Sequence, residues 1–237
     1  MPPERIGILG GTFDPVHLGH LIPAMYAVGH LGLERLYLVP SAAPVHRPLH
    51  EPAPAEDRLR MCELAAGNLA RFRVSDVEVR RAEPSYTVLT LEHFRKTLGP
   101  AIDLVLLLGE DNLPLLHTWH RAADLPRLAR LAILPRSPRS PSTFSRDPKG
   151  SACSGAGRPP PQSVIPSAAE GSRRDALPSF PVSGLRVPGS DMVPIPSPLV
   201  PISASAIRQR LRAGGDAAGL LPASVAAYIR THSLYRP

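Results

Sequence analysis

The chain has 237 residues, of which 43% are hydrophobic, and a formal net charge of +7. That length allows one good core with a small appendage, and no apolar run reaches the ~18 residues that a membrane span needs. The two cysteines, Cys62 and Cys153, lie far apart, so neither a disulfide framework nor a structural zinc site is expected. A reducing cytoplasm fits this cysteine content. The N-terminal MPPERIGILGG has no basic region followed by a long apolar stretch, so we expect no signal peptide.

The first 136 residues alternate between strand and helix patterns. Short apolar runs predict strands at Arg5–Leu9, Arg35–Val39, Phe72–Val79, Ile102–Leu108 and Leu128–Leu134. Helical patterns fall between them at Gly19–Leu31, Ala55–Leu69 and Thr87–Leu98, the last with Ser85 as its cap. The run at 102–108 is the most apolar and is expected at the centre of the sheet. Strands separated by helices predict an α/β fold: a Rossmann-like, doubly wound, mainly parallel sheet with helices on both faces.

A change of composition between Ser137 and Ser190 marks a different kind of segment. It is rich in Pro, Ser, Gly and Arg, and it carries seven basic and three acidic residues. Such a segment cannot bury enough apolar surface to offset its ordering entropy. We expect residues 137–190 to be a disordered insertion that interrupts one domain, whose parts are residues 1–136 and 191–237. In the second part the sequence predicts an edge strand in MVPIPSPLV and short helices at Ser203–Arg212 and Ser224–His232.

The stretch ILGGTFDPVHLGHL carries the clearest chemical signal. Gly10 and Gly11 follow the first strand, where open parallel sheets bind ligands and where glycine lets backbone N–H groups approach phosphates. His17 and His20 lie one turn apart near the N-terminus of the next helix, which itself favours anions, and Gly19 between them leaves space for a ligand. The arrangement predicts a polyphosphate clamp. The G-x-G-x-x-G and GK[ST] patterns are absent, and no third metal ligand is apparent.

The segment GGTFDPVHLGH resembles the signature of the nucleotidyltransferase superfamily and, more narrowly, that of the bacterial nicotinate-nucleotide adenylyltransferases. Four further stretches are similar to motifs of that family: PSAAPVHRP, EPSYTVLTLE, LLGEDNLPLLHTWH and ISASAIRQRL. The resemblance covers nearly everything outside the insertion. The chain departs from the family pattern at Val45, Arg47, Leu89, Ala204 and Ser205.

The resemblance implies transfer of AMP from ATP to the 5′-phosphate of nicotinate mononucleotide, which gives deamido-NAD and pyrophosphate. It implies a catalytic set of His17, His20, Arg47 and Arg208. It assigns ATP binding to Gly10, Gly11, Thr12, Phe13, Gly19, Gly109, Asp111, Ile202, Ser203 and Ser205. It assigns mononucleotide binding to His46, Ser85, Tyr86, Thr87 and Trp119. Mg²⁺ is expected to arrive with ATP, because the sequence shows no carboxylate cluster dedicated to it.

Other interpretations stay open at this point. The same chemistry could serve nicotinamide mononucleotide or phosphopantetheine as acceptor. A nucleic-acid-binding protein could use the basic insertion, although Phe144 and Phe180 are its only aromatic residues; the insertion could also be a docking tail. We expect small-molecule partners, no nucleic acid and no membrane, and the sequence allows a homo-oligomer. Several histidines have no matched partners in the sequence: His50, His93, His117, His120 and His232.

Overall fold

The computed structural model describes residues 3–43, 52–135 and 192–236. Within these residues six strands form one sheet in the order β3-β2-β1-β4-β5-β6, and each neighbouring pair is parallel. The strands are β1 (Arg5–Gly11), β2 (Arg35–Pro40), β3 (Phe72–Val74), β4 (Asp103–Gly109), β5 (Arg130–Leu134) and β6 (Met192–Pro194). This is the doubly wound order, in which the direction of winding reverses between β1 and β4. The predicted fold class is confirmed.

Helices pack on both faces of this sheet. They are α1 (Leu18–Leu31), α2 (Ala55–Ala66), α3 (Val77–Arg80), α4 (Thr87–Leu98), α5 (Leu125–Leu128), α6 (Ala204–Arg212) and α7 (Ala223–Thr231). Two 3-10 segments, Glu110–Thr118 and Ala122–Asp124, follow β4. Side chains of β4 alternate between the two hydrophobic cores: Leu104 and Leu106 join the core under α4 and α5, and Val105 and Leu107 join the core under α1, α2, α6 and α7.

The strand β4 is central, as its composition predicts. It pairs with β1 on one side and with β5 on the other, and its residues from Leu104 to Gly109 are all buried. A strand covered on both faces buries apolar side chains in both directions, which is why a continuous apolar run is stable there.

Several predicted boundaries are wrong. The strand expected over Phe72–Val79 ends at Val74, because β3 is an edge strand paired with β2 over only three residues. The Ser75 hydroxyl then accepts a hydrogen bond from the Val77 amide at 3.4 Å, and this turn leads into α3. The strand expected from Leu128 begins instead at Arg130, after the short helix α5. Helix α2 ends at Ala66 rather than at residue 69.

The strand β6 confirms the predicted edge strand in MVPIPSPLV, in a shorter form, Met192–Pro194. It pairs with β5 although residues 135–191 separate the two strands in the chain. The predicted insertion, residues 137–190, lies outside the described residues. Of the helices in the described ranges, none is long and apolar enough to span a bilayer.

Candidate active site

The carboxyl ends of β1, β2 and β4 lie side by side. Gly11, the last residue of β1, is level with Pro40 of β2, and Leu9 is level with Leu107 of β4. Because the winding reverses between β1 and β4, the loops that follow these two strands diverge and leave a crevice. The structure brings to this crevice the residues predicted from the loop after β1 and from the end of β4.

The two glycines at the end of β1 meet different surroundings. A Cβ added to Gly10 would have no atom within 4 Å, whereas one added to Gly11 would lie 3.1 Å from the ring of Phe13. Phe13 is buried and has a φ of 51°, and its ring meets that of His20 edge-on at 5.1 Å. Gly10 is thus exposed with open space beside its Cα, and the Phe13 ring packs against that of His20. Thr12 between them is partly exposed.

His17 and His20 stack on each other, with ring centroids 3.8 Å apart and 30° between the planes. His17 is the N-cap of α1 and only 1% exposed, while His20 lies in the first turn and is partly exposed. The backbone N–H of His17 donates to Nδ1 of His20 at 3.3 Å. With a donor on Nδ1, the neutral His20 ring carries its proton on Nε2, so that Nε2–H is a hydrogen-bond donor.

Gly19 allows a close contact inside the protein. A Cβ at this position would lie 2.9 Å from the His17 ring and 3.2 Å from Cβ of Ile202. The first distance is shorter than real Cβ contacts allow, and the second would require Ile202 to shift by a few tenths of an ångström. The sequence predicts that Gly19 makes space for a ligand; in the structure it lets the segment before α6 pack against the histidine pair.

The start of α6 brings Arg208 to the loop after β1. Ser203 is the exposed N-cap, and the exposed Ser205 hydroxyl accepts from Nη2 of Arg208 at 3.3 Å. Nη1 of Arg208 donates to the backbone carbonyl of Asp14 at 2.6 Å and lies 3.5 Å from the Asp14 carboxylate. Of the residues predicted from ISASAIRQRL, Arg208 thus contacts the loop after β1, and the partly exposed Ile202 lies beside Gly19. Ser203 and Ser205 are exposed at the start of the same helix.

The end of β4 carries a second part of the crevice. Gly109 is buried at the strand end, and Asp111 follows it in the 3-10 segment, partly exposed. The Asn112 side-chain amide donates to the Gly109 carbonyl at 3.3 Å and to the Asp111 carboxylate at 3.5 Å. Asn112 thus contacts both the end of β4 and the Asp111 carboxylate, which the resemblance assigns to ATP binding.

Ser85, Tyr86 and Thr87 form the start of α4. The predicted cap is wrong, because Tyr86 occupies the N-cap position and the Ser85 hydroxyl instead accepts from the backbone N–H of Ala42 at 3.0 Å. That bond links the turn before α4 to the chain just after β2. Thr87 is the first residue of the helix and is partly exposed.

Trp119 and His120 lie at the same end of the sheet as Tyr86. Trp119 is partly buried and packs on the hydrophobic core under α4. His120 is exposed, and its ring stacks on that of Tyr86 with centroids 4.4 Å apart and 25° between the planes. The sequence alone gives His120 no partner; the structure places it in an aromatic group with a predicted mononucleotide residue. The other two predicted site residues, His46 and Arg47, lie outside the described residues.

Arg58 is a buried residue that the sequence motifs do not single out. It is 1% exposed, and burial lowers its pKa below the ordinary value for arginine, an effect that the Asp14 carboxylate opposes. Its guanidinium donates four hydrogen bonds, all to backbone carbonyls at 2.6–3.0 Å: those of Thr12, Ser41, Ala42 and Ala53. Arg58 thus joins the loops after β1 and β2 to the start of α2. The signal in the sequence is its position one turn before the buried Cys62.

Glu78 is a second buried charged residue near the crevice. Its carboxylate accepts from the Thr90 hydroxyl at 2.6 Å and lies 3.9 Å from Arg81. Burial raises the pKa of the Glu78 carboxyl above 4.5, and hydrogen bonds from Thr90 and Ser85 act in the opposite direction. Because Ser85 and Thr90 flank the start of α4, Glu78 braces the turn that presents Tyr86.

A doubly wound sheet with glycines, a histidine pair and an arginine at its carboxyl edge defines a nucleotide-binding protein that handles phosphates. A model of the cytidylyltransferase-like family matches residues 8–210. A protein of Dechloromonas aromatica described as "probable nicotinate-nucleotide adenylyltransferase" is 41% identical over 98% of both chains. One of Dehalococcoides mccartyi with the same description is 35% identical over 98% of this chain and 97% of the relative.

Solved structures show the same fold. The nicotinic acid mononucleotide adenylyltransferase of Plasmodium falciparum, complexed with NaAD, superimposes with a TM-score of 0.60 at 17% identity over 98% of this chain and 97% of that chain. A nicotinate-nucleotide adenylyltransferase of Vibrio parahaemolyticus, described as putative, gives 0.58 at 15% identity over 98% and 95%. The chain belongs to the cytidylyltransferase-like family and, within it, to the nicotinate-nucleotide adenylyltransferases.

Proposed function

We propose that this protein transfers the AMP group of ATP to the 5′-phosphate of nicotinate mononucleotide, forming deamido-NAD and pyrophosphate. The observation that carries the proposal is the meeting of three elements at the carboxyl edge of β1: the open glycine Gly10, the stacked pair His17–His20 and Arg208. The names of the relatives support the same activity.

The reaction needs little covalent chemistry from the protein. An oxygen of the mononucleotide phosphate attacks the α-phosphorus of ATP, a new P–O bond forms, and the bond from that phosphorus to the bridging oxygen breaks. Pyrophosphate leaves with the electron pair. A phosphate monoester has a second pKa of ~6, so the nucleophile is already largely dianionic at neutral pH and needs no general base. The barrier lies in bringing polyanions together and stabilising charge in the transition state.

We assign the phosphates of ATP to two groups of hydrogen-bond donors: the histidine pair at the start of α1, and a set of arginine and serine side chains. His17 and His20 would act at the α-phosphate, and His20 would donate from Nε2. Arg208 and Arg47 would neutralise the β- and γ-phosphates, with hydroxyl groups of Ser203 and Ser205 beside them. The backbone from Gly10 to Phe13 and the residues Gly19, Gly109, Asp111 and Ile202 would hold the rest of ATP.

The acceptor is assigned to the start of α4 and the segment after β4. Trp119 would stack on the pyridine ring, as aromatic side chains do on bases. Tyr86, Thr87 and the backbone N–H groups of the first turn of α4 would receive the nicotinate carboxylate. This assignment gives a physical reason for preferring the acid over the amide. Ser85 and His46 would support the loops on either side.

Mg²⁺ is proposed to enter as the Mg·ATP complex. The described ranges of the chain contain no group of three or more His, Cys, Asp or Glu side chains that could hold a metal ion. Mg²⁺ in phosphate-transfer sites is commonly bound by substrate phosphates and water, with few protein ligands.

The proposed compartment is the cytoplasm. A reducing compartment is consistent with Cys62, which is a free thiol in the buried core. Burial raises the pKa of this thiol and so lowers its reactivity. A homo-oligomer stays a prediction, which light scattering on the purified protein tests.

The test is pyrophosphate release from Mg·ATP with three acceptors in parallel: nicotinate mononucleotide, nicotinamide mononucleotide and phosphopantetheine. We expect the highest kcat/KM with nicotinate mononucleotide. A higher value with either other acceptor would move the assignment to that substrate. Absence of turnover with all three, together with salt-sensitive binding of RNA or DNA, would favour the nucleic-acid-binding alternative.

A further inference from the structure

Arg208 belongs to a buried cluster of charged and polar side chains. It consists of Asp14, Arg58, Arg208 and Tyr235, and we refer to it as the Asp14 cluster. Asp14 is 2% exposed, and its carboxylate accepts hydrogen bonds from the Tyr235 hydroxyl at 2.6 Å and from the backbone N–H of Ala53 at 3.1 Å. Tyr235 is separated from Asp14 by 221 positions in the chain. The C-terminal residues thus reach the loop that follows β1.

Asp14 is the main anchor of Arg208. Its backbone carbonyl accepts from Nη1 of Arg208 at 2.6 Å, and its second carboxylate oxygen lies 3.5 Å from the same nitrogen. The Arg208 side chain is 11% exposed, so the guanidinium is held in place with only a small part open to solvent. The hydrogen bond goes to the backbone carbonyl, and the carboxylate acts on the same guanidinium as an ion pair, so the orientation of the Asp14 carboxylate affects the electrostatic environment of Arg208.

Tyr235 limits rotation of the Asp14 carboxylate. Its hydroxyl donates to the Asp14 oxygen that does not face Arg208, and the other oxygen is left to the guanidinium. A charge-assisted hydrogen bond of this kind in a buried site is stronger than one between neutral groups and fixes the orientation of the carboxylate.

The backbone of Tyr235 has an unfavourable conformation, which the hydrogen bond to Asp14 and the packing of the ring help to hold. Tyr235 has a φ of 61°, in the left-handed region that non-glycine residues seldom adopt. That conformation is unfavourable for a residue with a side chain, and it persists where surrounding contacts impose it. The ring of Tyr235 is 9% exposed and belongs to the same core as α1 and α2.

Arg58 extends the cluster to both sides of residues 44–51. Its bonds to the carbonyls of Ser41 and Ala42 hold the chain before that segment, and its bond to Ala53 holds the chain after it. The Ala53 amide in turn donates to Asp14. The chain that leads to and from Arg47 is therefore tied to the same carboxylate as Arg208.

We propose that Tyr235 is a positioning residue for the nucleotide site: through Asp14 it fixes the guanidinium of Arg208 on the phosphate side, so that the C-terminal residues complete the site. The inference rests on the proposed function, because it assigns Arg208 to the phosphates of ATP. Tyr235 itself touches no substrate in this scheme.

The test compares two tyrosine-to-phenylalanine variants. Tyr235→Phe removes the hydroxyl that holds Asp14. Tyr228→Phe is the matched control, because the Tyr228 hydroxyl donates to the Asp57 carboxylate at 2.8 Å between α7 and α2, away from the crevice. We expect Tyr235→Phe to lower kcat/KM for ATP about 10-fold, on the scale of a slightly misplaced group. KM for the mononucleotide should stay unchanged, and Tyr228→Phe should retain wild-type kinetics.

A double-mutant cycle separates positioning from a general structural effect. In an Arg208→Ala background, where no guanidinium is left to position, Tyr235→Phe should change kcat/KM for ATP by less than about twofold. An unchanged 10-fold loss in that background would overturn the proposal, as would wild-type kinetics of the single variant Tyr235→Phe.

A second variant covers failure of Tyr235→Phe to fold. Asp14→Asn keeps the side-chain volume and removes the charge, and it should lower kcat/KM for ATP with the same dependence on Arg208. Wild-type kinetics in Asp14→Asn would also overturn the proposal. If the wild-type protein itself forms no deamido-NAD, the proposed function fails; if it is active and Tyr235→Phe matches Tyr228→Phe, only the role of Tyr235 fails.

Discussion

The backbone N–H of His17 donates to Nδ1 of His20, and the two rings stack with centroids 3.8 Å apart. One residue of the pair thereby sets the tautomer of the other. His17 is buried and carries the helix start, whereas His20 is the more accessible ring and presents Nε2–H as its donor. Both histidines are assigned to the α-phosphate, and we expect the more accessible His20 to contribute more to transition-state stabilisation than the buried His17.

Replacement of His20 tests its contribution to catalysis. We expect His20→Ala to lower kcat about 100- to 1000-fold, the range found when one preorganised donor is removed from a transition-state site. The matched control is His30→Ala, an exposed histidine in the last turn of the same helix, which should leave kcat unchanged. Steady-state kinetics with Mg·ATP and nicotinate mononucleotide, with circular dichroism to check folding, measure both. A kcat within a few-fold of wild type in His20→Ala would remove His20 from the catalytic set.

Two glycines of α1 give a packing test. A Cβ at Gly19 would lie 2.9 Å from the His17 ring and 3.2 Å from Ile202, whereas a Cβ at Gly29 would have no atom within 4 Å. We expect Gly19→Ala to lower the free energy of unfolding by ~1–3 kcal/mol, as overpacking does, and to reduce activity as the histidine shifts. Gly29→Ala should be neutral or stabilise the helix by up to ~1 kcal/mol.

Denaturant titration and activity assays of the two alanine variants provide the comparison. Equal stability of Gly19→Ala and Gly29→Ala, with equal activity, would show that the contact between Gly19 and Ile202 has no energetic weight.

Trp119 is expected to act on the acceptor. Trp119→Ala should raise KM for nicotinate mononucleotide about 5- to 150-fold, since stacking of an aromatic side chain on a base contributes ~1–3 kcal/mol. KM for ATP should change little. Leu115→Ala is the control, because Leu115 is 49% exposed in the neighbouring 3-10 segment. If Trp119→Ala instead raises KM for ATP and leaves the acceptor unaffected, the assignment of the two subsites is reversed.

Glu78 gives a prediction for the pH dependence of stability. Its folded-state pKa is raised above 4.5 by burial, so the folded protein binds this proton more tightly than the unfolded chain. The stability from the protonated carboxyl is present below pH 4.5 and is lost as the pH rises through the raised pKa. The glutamine in Glu78→Gln cannot ionise and does not lose this stability. The free energy of unfolding of the variant, minus that of the wild type, should therefore increase as the pH rises over this window.

Denaturant unfolding of both proteins from about pH 4 to about pH 8 measures the difference. Glu63→Gln controls for the loss of one negative charge, because Glu63 is exposed and pairs with Arg60 on the surface of α2. A constant difference between Glu78→Gln and wild type across that range would contradict the prediction.

The strands of the sheet are predictable because each one is marked in the sequence by a short apolar run. The apolar run around Leu106 requires a position covered on both faces, and the alternation of strands and helices leads to parallel pairing. The short helix α3 is missed, since four residues after an edge strand carry too little periodicity. The candidate site at the carboxyl end of β1 is also predictable from local sequence, because glycines and two closely spaced histidines follow the apolar run of that strand.

The interior support of the site is not predictable from local patterns. Asp14, Arg58 and Tyr235 are brought together only by the tertiary fold, and Tyr235 lies beyond the end of α7, a short amphipathic helix. An arginine on the inner face of α2 violates the usual hydrophobic pattern, and four backbone carbonyls supply the hydrogen bonds that make its burial possible. His120 gains a partner in the same way, through its stacking on Tyr86.

The most direct test of the proposed adenylyl transfer is to quantify both products of one reaction. Purified protein is incubated with Mg·ATP and nicotinate mononucleotide, and deamido-NAD and pyrophosphate are measured together by mass spectrometry and an enzyme-coupled assay. We expect equal amounts of the two products, no pyrophosphate without the acceptor, and loss of both products in His20→Ala. Pyrophosphate without the dinucleotide, or no turnover in folded protein, would contradict the proposed transfer.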